Sequence, residues 1–308
     1  MKILITGASG MVGRNLVEQY FISNNKLLTP SSQELDLCNE LDVDQYVDQY
    51  KPDCIIHSAG KVGGIQANIR DPYEFLQQNL KMGMNIINSA YKYNIKQVIN
   101  LGSSCMYPRG FERSILETDI LTASLEPTNE GYALAKIAVA KATEYIANRD
   151  KSFHYTTLIP CNLYGKYDSF DSLKSHLIPA IIVKINDAIK INKPVVIWGD
   201  GNARREFMYV EDFADFIGYT LEKGIRLPAY LNVGLGHDYT IKEYYQIAAG
   251  IMNYKGNFKF NLLKPTGMKR KLVDISKLEE LGWRSTTSLE EGVKKTYDFF
   301  LNNYSNEI

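Results

Sequence analysis

The first half of the chain alternates short apolar runs with longer segments in which apolar residues recur every three or four positions. Short runs of this kind predict buried strands, and the longer periodicity predicts amphipathic helices. The predicted strands are Ile3–Thr6, Leu27–Thr29, Cys54–His57, Val98–Leu101 and Thr156–Ile159. The predicted helices are Met11–Ile22, Leu41–Tyr50, Pro72–Tyr93 and Asn129–Asn148. Strands joined by helices of this length predict right-handed crossovers and a parallel sheet covered on both faces.

We therefore predict an α/β protein in which residues 1–165 form a Rossmann-type, doubly wound domain. After a polar loop at Lys166–Ser175, residues 166–308 are predicted to form mainly a smaller α/β substrate-binding domain. Its predicted helices are His176–Lys190, Val210–Lys223, Ile241–Met252 and Leu289–Asn302, and its predicted strands are Val195–Trp198 and Tyr230–Val233. We expect some segments between residues 205 and 250 to return to the first sheet.

The composition is that of an average globular protein, with 45% hydrophobic and 23% charged residues. Lys plus Arg and Asp plus Glu both number 35, so no net charge attracts nucleic acid or an anionic membrane. The four cysteines show neither a CxxC pair nor zinc-type spacing, which indicates reduced thiols and no metal. No run approaches the ~20 apolar residues of a membrane span, and the apolar start is too short for a signal peptide. We expect a cytoplasmic protein.

A glycine motif, GxxGxxG, follows the first predicted strand and opens the first predicted helix. In this setting the glycines allow a tight turn and close approach of the backbone to a pyrophosphate, which meets the N–H groups of the helix N-terminus. A glycine-rich turn without a ligand fits the setting less well. The candidate cofactor-binding residues of the motif are Gly7, Ser9, Gly10, Met11, Val12 and Gly13.

The tip of the second predicted strand bears on the choice between NAD and NADP. An acid there accepts a hydrogen bond from the ribose 2′-OH, whereas a basic residue or a hydroxyl accommodates a 2′-phosphate. The tip reads Thr29-Pro30-Ser31-Ser32, with neither an acid nor an arginine. We therefore favour NADP(H), with Ser32 as a contact, and expect Asp36 to lie near the adenine or in a turn.

A Tyr–Lys pair, Tyr132 and Lys136, lies at YxxxK spacing inside a predicted helix, so both side chains share one face. A neighbouring ammonium stabilises a phenolate, and we expect Lys136 to lower the pKa of Tyr132 so that it transfers a proton near neutral pH. Alone, this pair would be an ordinary surface contact. Ser103 follows a predicted strand at the sheet edge where ligands bind, and the order of glycine turn, serine and YxxxK is specific.

These motifs resemble those of the extended short-chain dehydrogenase/reductase family, in its branch that acts on GDP-linked keto sugars. The resemblance covers nearly the whole chain. The further segments that carry it are Lys61–Ile65, Gly102–Pro108, Glu126–Glu130, Asn162–Gly165, Ser175–Ala180, Trp198–Gly199, Arg205–Phe207, Asn232–Gly234 and Lys271–Asp274.

The resemblance implies an NADP-dependent enzyme that epimerises C3 and C5 of GDP-4-keto-6-deoxy-mannose and then reduces its C4 ketone. Ser103 and Tyr132 would hold the C4 oxygen, and Lys136 would bind the nicotinamide ribose. Cys105 and His176 would be the base and the acid of the epimerisation. From the residues alone, a cysteine after a strand is more often a small buried hydrophobe, and a histidine at a helix start is usually a helix cap or a surface residue, so the roles of Cys105 and His176 depend on the resemblance.

The resemblance also implies binding residues and an oligomeric state. Lys61, Lys136 and His176 would contact the cofactor. The nucleotide sugar would be bound by Asn162, Lys184, Trp198, Arg205 and Lys271. Trp198 could instead fill core. The family forms homodimers through two long helices, here Pro72–Tyr93 and Asn129–Asn148.

Two other functions stay open at this point. A related GDP-linked sugar, such as a 6-deoxy-heptose or a colitose precursor, could be the substrate, since Lys166 stands where the family commonly has a proline and so changes the substrate loop. Ser9 and Ser32 replace family arginines, which leaves the preference for NADP over NAD open. A regulatory protein that binds the cofactor without catalysis is the second, but the intact Ser103, Tyr132 and Lys136 argue against it.

Overall fold

The computed structural model describes residues 1–171, 175–264 and 268–304. The strands of these residues are β1 (Lys2–Thr6), β2 (Lys26–Leu28), β3 (Cys54–His57), β4 (Gln97–Leu101), β5 (His154–Pro160), β6 (Asn162–Tyr164), β7 (Val195–Trp198), β8 (Arg204–Arg205), β9 (Phe207–Tyr209), β10 (Tyr230–Val233), β11 (Tyr239–Thr240), β12 (Phe258–Asn261) and β13 (Arg270–Lys271). Their α-helices are α1 (Met11–Glu18), α2 (Tyr20–Ser23), α3 (Glu40–Tyr50), α4 (Ile65–Arg70), α5 (Pro72–Lys92), α6 (Glu130–Arg149), α7 (Leu177–Ile191), α8 (Val210–Glu222), α9 (Ile241–Ile251), α10 (Ser276–Glu280) and α11 (Leu289–Tyr304).

The central sheet has the strand order β10-β5-β4-β3-β1-β2, and every neighbouring pair is parallel. The chain leaves β1 for β2 on one side and then returns to build β3, β4 and β5 on the other. This reversal makes the carboxyl ends of β1 and β3 a topological switch point, where such sheets bind ligands. The predicted Rossmann-type fold is confirmed.

Alternate residues of the strands face two separate cores, as expected for a sheet covered on both sides. Ile3 of β1 faces the core shared with α1, α8 and α10, which includes Phe216. Leu4 faces the opposite core, shared with α3, α5 and α6, which includes Val43 and Ile86. The helices cover both faces of the central sheet. The carboxyl edge of the sheet stays open and can hold a ligand.

The later part of the chain builds a third core beside this edge. Ile181 of α7, Tyr244 of α9 and Phe300 of α11 pack together there. The short strands of this region form small sheets separate from the central one: β6 pairs with β9, and β8 lies between β11 and β13. None of the helices in the described ranges is long and apolar enough to cross a membrane.

The structure differs from the predicted elements in a few places. The predicted helix Met11–Ile22 is broken at Gln19, whose backbone is extended and whose Oε1 accepts the amide of Ile22 at 3.0 Å, so that α2 starts anew. Six short strands and the helices α4 and α10 were not predicted. Of the predicted loop Lys166–Ser175, residues 172–174 lie outside the described residues, and the rest forms neither helix nor strand.

Candidate active site

The glycine motif forms a closed turn between β1 and α1. The amide of Gly10 donates to the carbonyl oxygen of Gly7 at 3.0 Å. Gly7 has a φ of +71°, which favours glycine, and a Cβ on Gly13 would lie 2.1 Å from the Gly7 oxygen. No side chain in the described part of the chain caps α1, so its first N–H groups can meet an anion. The turn fits the pyrophosphate of a dinucleotide.

A cleft of about 570 Å³, the glycine-turn cleft, opens beside this turn. The predicted cofactor residues that line it are Gly7, Ser9, Gly10, Met11, Val12, Gly13, Ser32 and His176. Asp36 lines it too, and its carboxylate accepts the amide of Cys38 at 2.9 Å, so Asp36 lies beside the cleft and in a turn. The described lining residues include no lysine or arginine.

A second cleft of about 360 Å³, the inner cleft, adjoins the first. The two share Met11, Val12, Gly60 and His176 among their lining residues. The inner cleft brings together most of the other predicted site residues, namely Ser103, Cys105, Tyr132, Lys136, Asn162, Arg205 and Lys271. These come from strands, a helix and loops that are far apart in the sequence, and the carboxyl edge of the sheet joins them.

Tyr132 and Lys136 lie on one face of α6, with the Lys136 Nζ 5.9 Å from the centroid of the tyrosine ring. Lys136 donates to the carbonyl oxygen of Leu101 at 2.9 Å, and burial lowers the pKa of Lys136 to about 8. The expected lowering of the Tyr132 pKa is wrong for this structure: burial and the nearby Cys105 raise it, and a hydrogen bond with Ser103 lowers it only in part. At neutral pH Tyr132 is therefore a phenol that can donate a proton.

Cys105 lies in a single 3₁₀ turn, Ser104–Met106, that follows β4. The side-chain amide of Asn129 donates to its Sγ at 3.0 Å, and the Nζ of Lys271 lies 3.7 Å from the same atom. The cysteine is partly exposed and lines the inner cleft, so it is not a buried hydrophobe. The sulfur of Cys105 therefore faces an amide donor and a cation on the wall of the inner cleft.

His176 precedes α7 and lines both clefts. Its side chain is 44% exposed, and its Nδ1 lies 3.5 Å from an oxygen of the buried Asp168 carboxylate. His176 is the N-cap residue of α7, as one of the two alternatives predicts, but its imidazole makes no capping hydrogen bond to the helix. The contact with Asp168 raises the pKa of His176 above its usual value, although burial lowers it.

Three predicted binding residues lie outside both clefts. The Nζ of Lys61 lies 3.9 Å from the carboxylate of Glu74 instead. The Nζ atoms of Lys184 and Lys264 lie 5.1 Å and 5.3 Å from the ring centroid of Trp198. Trp198 is 42% exposed and therefore does not fill core.

Asn129, Asp168 and Glu206 contact site residues and were not singled out from the sequence. Glu206 is buried, and its carboxylate accepts the amides of Leu235, Gly236 and Val273 at 2.5 Å, 2.9 Å and 3.0 Å. These bonds fix the strands that carry its neighbour Arg205 and the adjacent Lys271. In the sequence, Asn129 and Glu206 are marked only by lying inside the family segments quoted above. Asp168 is marked only by following one of those segments, Asn162–Gly165, by three residues.

A glycine turn at the switch point of a doubly wound sheet, with serine, tyrosine and lysine converging beside it, defines a dinucleotide-dependent enzyme of the short-chain dehydrogenase/reductase type. Among the described residues, no cluster of His, Cys, Asp and Glu side chains could hold a metal ion. The sequence profile of the NAD dependent epimerase/dehydratase family matches residues 3–234, and the chain belongs to that family.

Comparison with individual proteins gives full-length similarity. The chain is 53% identical to a GDP-L-colitose synthase of Yersinia pseudotuberculosis over 100% of both chains. It is 47% identical to a GDP-L-fucose synthase of Azorhizobium caulinodans, over 97% of this chain and 96% of the relative. A crystal structure of a GDP-D-glycero-L-gluco-heptose synthase of Campylobacter jejuni in the presence of NADPH superimposes with a TM-score of 0.86 at 29% identity, covering 97% of this chain and 98% of the other.

Proposed function

We propose that the protein is an epimerase-reductase that inverts C3 and C5 of GDP-4-keto-6-deoxy-mannose and reduces its C4 ketone with NADPH, giving GDP-L-fucose. One observation carries this proposal: Cys105 and His176 line the same cleft as Ser103, Tyr132 and Lys136. A reductase that only reduces C4 needs neither of the first two. The GDP-linked products named for the relatives and the NADPH in the Campylobacter structure support the sugar class and the cofactor.

In the reduction, Ser103 and Tyr132 hold the C4 oxygen by hydrogen bonds. Bound NADPH supplies the hydride to C4. Tyr132 is kept protonated at neutral pH by its raised pKa, gives its phenolic proton to the C4 oxygen as the hydride arrives, and regains a proton from solvent. Lys136 is mostly protonated at neutral pH, so its ammonium can bind ribose hydroxyls and stabilise the phenolate as it forms.

In the epimerisation, the C4 ketone acidifies the hydrogens on C3 and C5. The thiolate of Cys105, held by Asn129 and Lys271, removes one of these protons, and the negative charge moves to the C4 oxygen between Ser103 and Tyr132. His176 returns a proton to the opposite face of the carbon. Because burial, with Cys105 beside it, raises the pKa of Tyr132, the phenol keeps its proton for the later reduction.

The nucleotide part of the substrate needs cations and an aromatic surface. Arg205 and Lys271 are partners in the β8–β13 register and both line the inner cleft, so together they suit a diphosphate. The exposed indole of Trp198, beside Lys184, suits stacking of the base. The side-chain amide of Asn162 donates to the backbone carbonyl oxygen of Glu206 at 2.8 Å, and Asn162 lines the inner cleft beside Arg205.

A second candidate is the same chemistry, or C4 reduction alone, on a related GDP-linked keto sugar. The 53% identity with a GDP-L-colitose synthase over the full length favours a colitose precursor. The Campylobacter heptose synthase supports a 6-deoxy-heptose in the same way.

The deciding experiment incubates the protein with NADPH and GDP-4-keto-6-deoxy-mannose in D₂O and follows NADPH oxidation and the deuterium content of the product. Oxidation with deuterium at C3 and C5 is expected. Oxidation without deuterium would leave only a C4 reductase. If neither signal appears with this sugar but both appear with a colitose or heptose precursor, the second candidate replaces the first.

We propose further that residues 1–165, with β10 and α8, hold the cofactor, and that most of 166–308 holds the nucleotide sugar. Two copies are proposed to associate through α5 and α6, a pairing supported by the exposed Tyr73, Leu134 and Tyr145 on these helices. Light scattering tests the dimer, and Tyr145→Glu should shift it to monomer. The four free cysteines support a reducing, cytoplasmic location.

A further inference from the structure

The buried carboxylate of Asp168 contacts one ring nitrogen of the partly exposed imidazole of His176. The side chain of Asp168 is 4% exposed, and its Oδ1 lies 3.5 Å from the His176 Nδ1. The same oxygen accepts the amide of Ser169 at 2.8 Å. Asp168 follows β6 and His176 precedes α7, so the contact joins the two ends of the connection between these elements.

The other carboxylate oxygen of Asp168, Oδ2, is buried and has no hydrogen-bond partner within the described ranges. An unsatisfied buried acceptor destabilises a fold. A carboxylate that served only to fix the loop would satisfy both oxygens. Asp168 lies beside His176 on the wall of the glycine-turn cleft, and this position indicates a role in the candidate active site.

We propose that Asp168 is a positioning residue that holds the Nδ1 side of His176 and turns Nε2 towards the inner cleft. This inference rests on the proposed epimerisation. The carboxylate accepts a hydrogen bond from Nδ1–H and keeps that proton in place. In the protonation step, the Nε2–H bond breaks, a C–H bond forms at the sugar carbon, and the neutral imidazole retains its proton on Nδ1. Solvent then restores the Nε2 proton to the exposed ring.

The contact also favours the protonated ring, because Asp168 raises the pKa of His176. Other titratable side chains face the same clefts. On the inner cleft they are Cys105, Glu126, Tyr132, Lys136, Cys161, Arg205 and Lys271. On the glycine-turn cleft they are Asp36 and Tyr167. Asp168 is the only charged group that shifts the histidine in the described structure.

The test is Asp168→Asn in the full-length protein with NADPH bound. NMR of the His176 ring should show its titration midpoint moved to lower pH. Deuterium incorporation into the sugar at neutral pH should fall by about tenfold for each unit of that movement. Reduction of a ketone that is already epimerised should continue, and Asp168→Glu should restore part of the exchange. Asp171→Asn, which removes an exposed carboxylate from the same loop, is the matched control.

An unchanged midpoint in Asp168→Asn would overturn the proposal, and so would a moved midpoint with an unchanged pH profile of deuterium incorporation. If the variant does not fold, the wild-type protein decides: the ¹⁵N shifts of neutral His176 must report the Nδ1–H tautomer, and the Nε2–H tautomer would overturn it. Wild-type protein that incorporates no deuterium refutes the epimerisation itself. The titration needs no substrate and separates that failure from a failure of the Asp168–His176 contact.

Discussion

The ammonium of Lys271 lies 3.7 Å from the Sγ of Cys105 in the inner cleft. Lys271 sits in β13, whose partner β8 is anchored beside the buried Glu206, so the cation is held by a strand and not by a free loop. A thiol removes a proton from carbon only as its thiolate, and a cation next to the sulfur favours that form. A residue expected to bind the diphosphate therefore also faces the candidate base.

We predict that Lys271→Met slows alkylation of Cys105 by iodoacetamide at neutral pH severalfold, because the cation 3.7 Å from the sulfur is lost. Peptide mass spectrometry follows the modification of Cys105 without substrate. Lys269→Met, which removes an exposed lysine two positions earlier, should leave the rate unchanged. Equal rates in Lys271→Met and wild type would show that the cation does not act on the thiol.

Cys105→Ser should separate the two reactions. A hydroxyl is a much weaker base than a thiolate, so we expect deuterium incorporation at C3 and C5 to fall about 10²-fold or more. NADPH oxidation with a ketone that is already epimerised should persist. Cys38→Ser, a half-buried cysteine outside both clefts, is the control. Loss of both reactions together in Cys105→Ser would point to a structural cysteine.

Tyr132→Phe should abolish the reduction, with NADPH oxidation at least about 10²-fold slower, because the phenolic proton for the C4 oxygen is lost. Binding of NADPH, followed by fluorescence titration, should change little. Tyr20→Phe removes a hydroxyl from a tyrosine that is 81% exposed and lines neither cleft, and it should have no effect on turnover. Unchanged turnover in Tyr132→Phe would remove the proposed mechanism.

The central sheet could be predicted because its strands are buried on both faces and stand out as apolar runs between helices. Cys54–His57 and Tyr230–Val233 match the structure residue for residue. The two-residue strands β8, β11 and β13 could not be predicted, because two residues carry no periodicity. Their pairing depends on chain segments that meet only in the fold. The break at Gln19 was hidden by helical spacing that continues through both halves.

The candidate site could be predicted as a set of residues but not as a set of contacts. Spacing along α6 placed Tyr132 and Lys136 on one face, yet burial, which reverses the expected pKa direction of Tyr132, is a property of the whole fold. Asp168 and Asn129 reach His176 and Cys105 through the folding of loops, and neither contact has a sequence pattern of its own.

The choice between NADPH and NADH depends on the side chains of the glycine-turn cleft. Ser9 and Ser32 line this cleft, and the described lining residues include no basic side chain. We expect only a modest preference for NADPH over NADH. Ser32→Arg should raise the ratio of kcat/KM for NADPH over NADH by about tenfold, since one charge-assisted phosphate contact contributes roughly 1.5–3 kcal/mol. Gln33→Arg adds the same charge one residue further along and is the control. A ratio unchanged by Ser32→Arg would mean that the ribose lies elsewhere.

The buried Glu206 should make stability depend on pH. Burial raises its pKa from 4.5 to about 7, although three amide hydrogen bonds lower it. Between these values the folded protein holds a proton that the unfolded chain has released, so the unfolding free energy falls as pH rises through the window. The change is about 1.4 kcal/mol per pH unit for this group.

Urea titrations of wild type and Glu206→Gln should show their difference in unfolding free energy shrinking from pH 5 to pH 7 and levelling off above it. Glu112→Gln, at an exposed position, should track the wild type throughout. Parallel curves for wild type and Glu206→Gln would show that Glu206 is ionised in the fold at every pH tested, and that its three amide donors outweigh its burial.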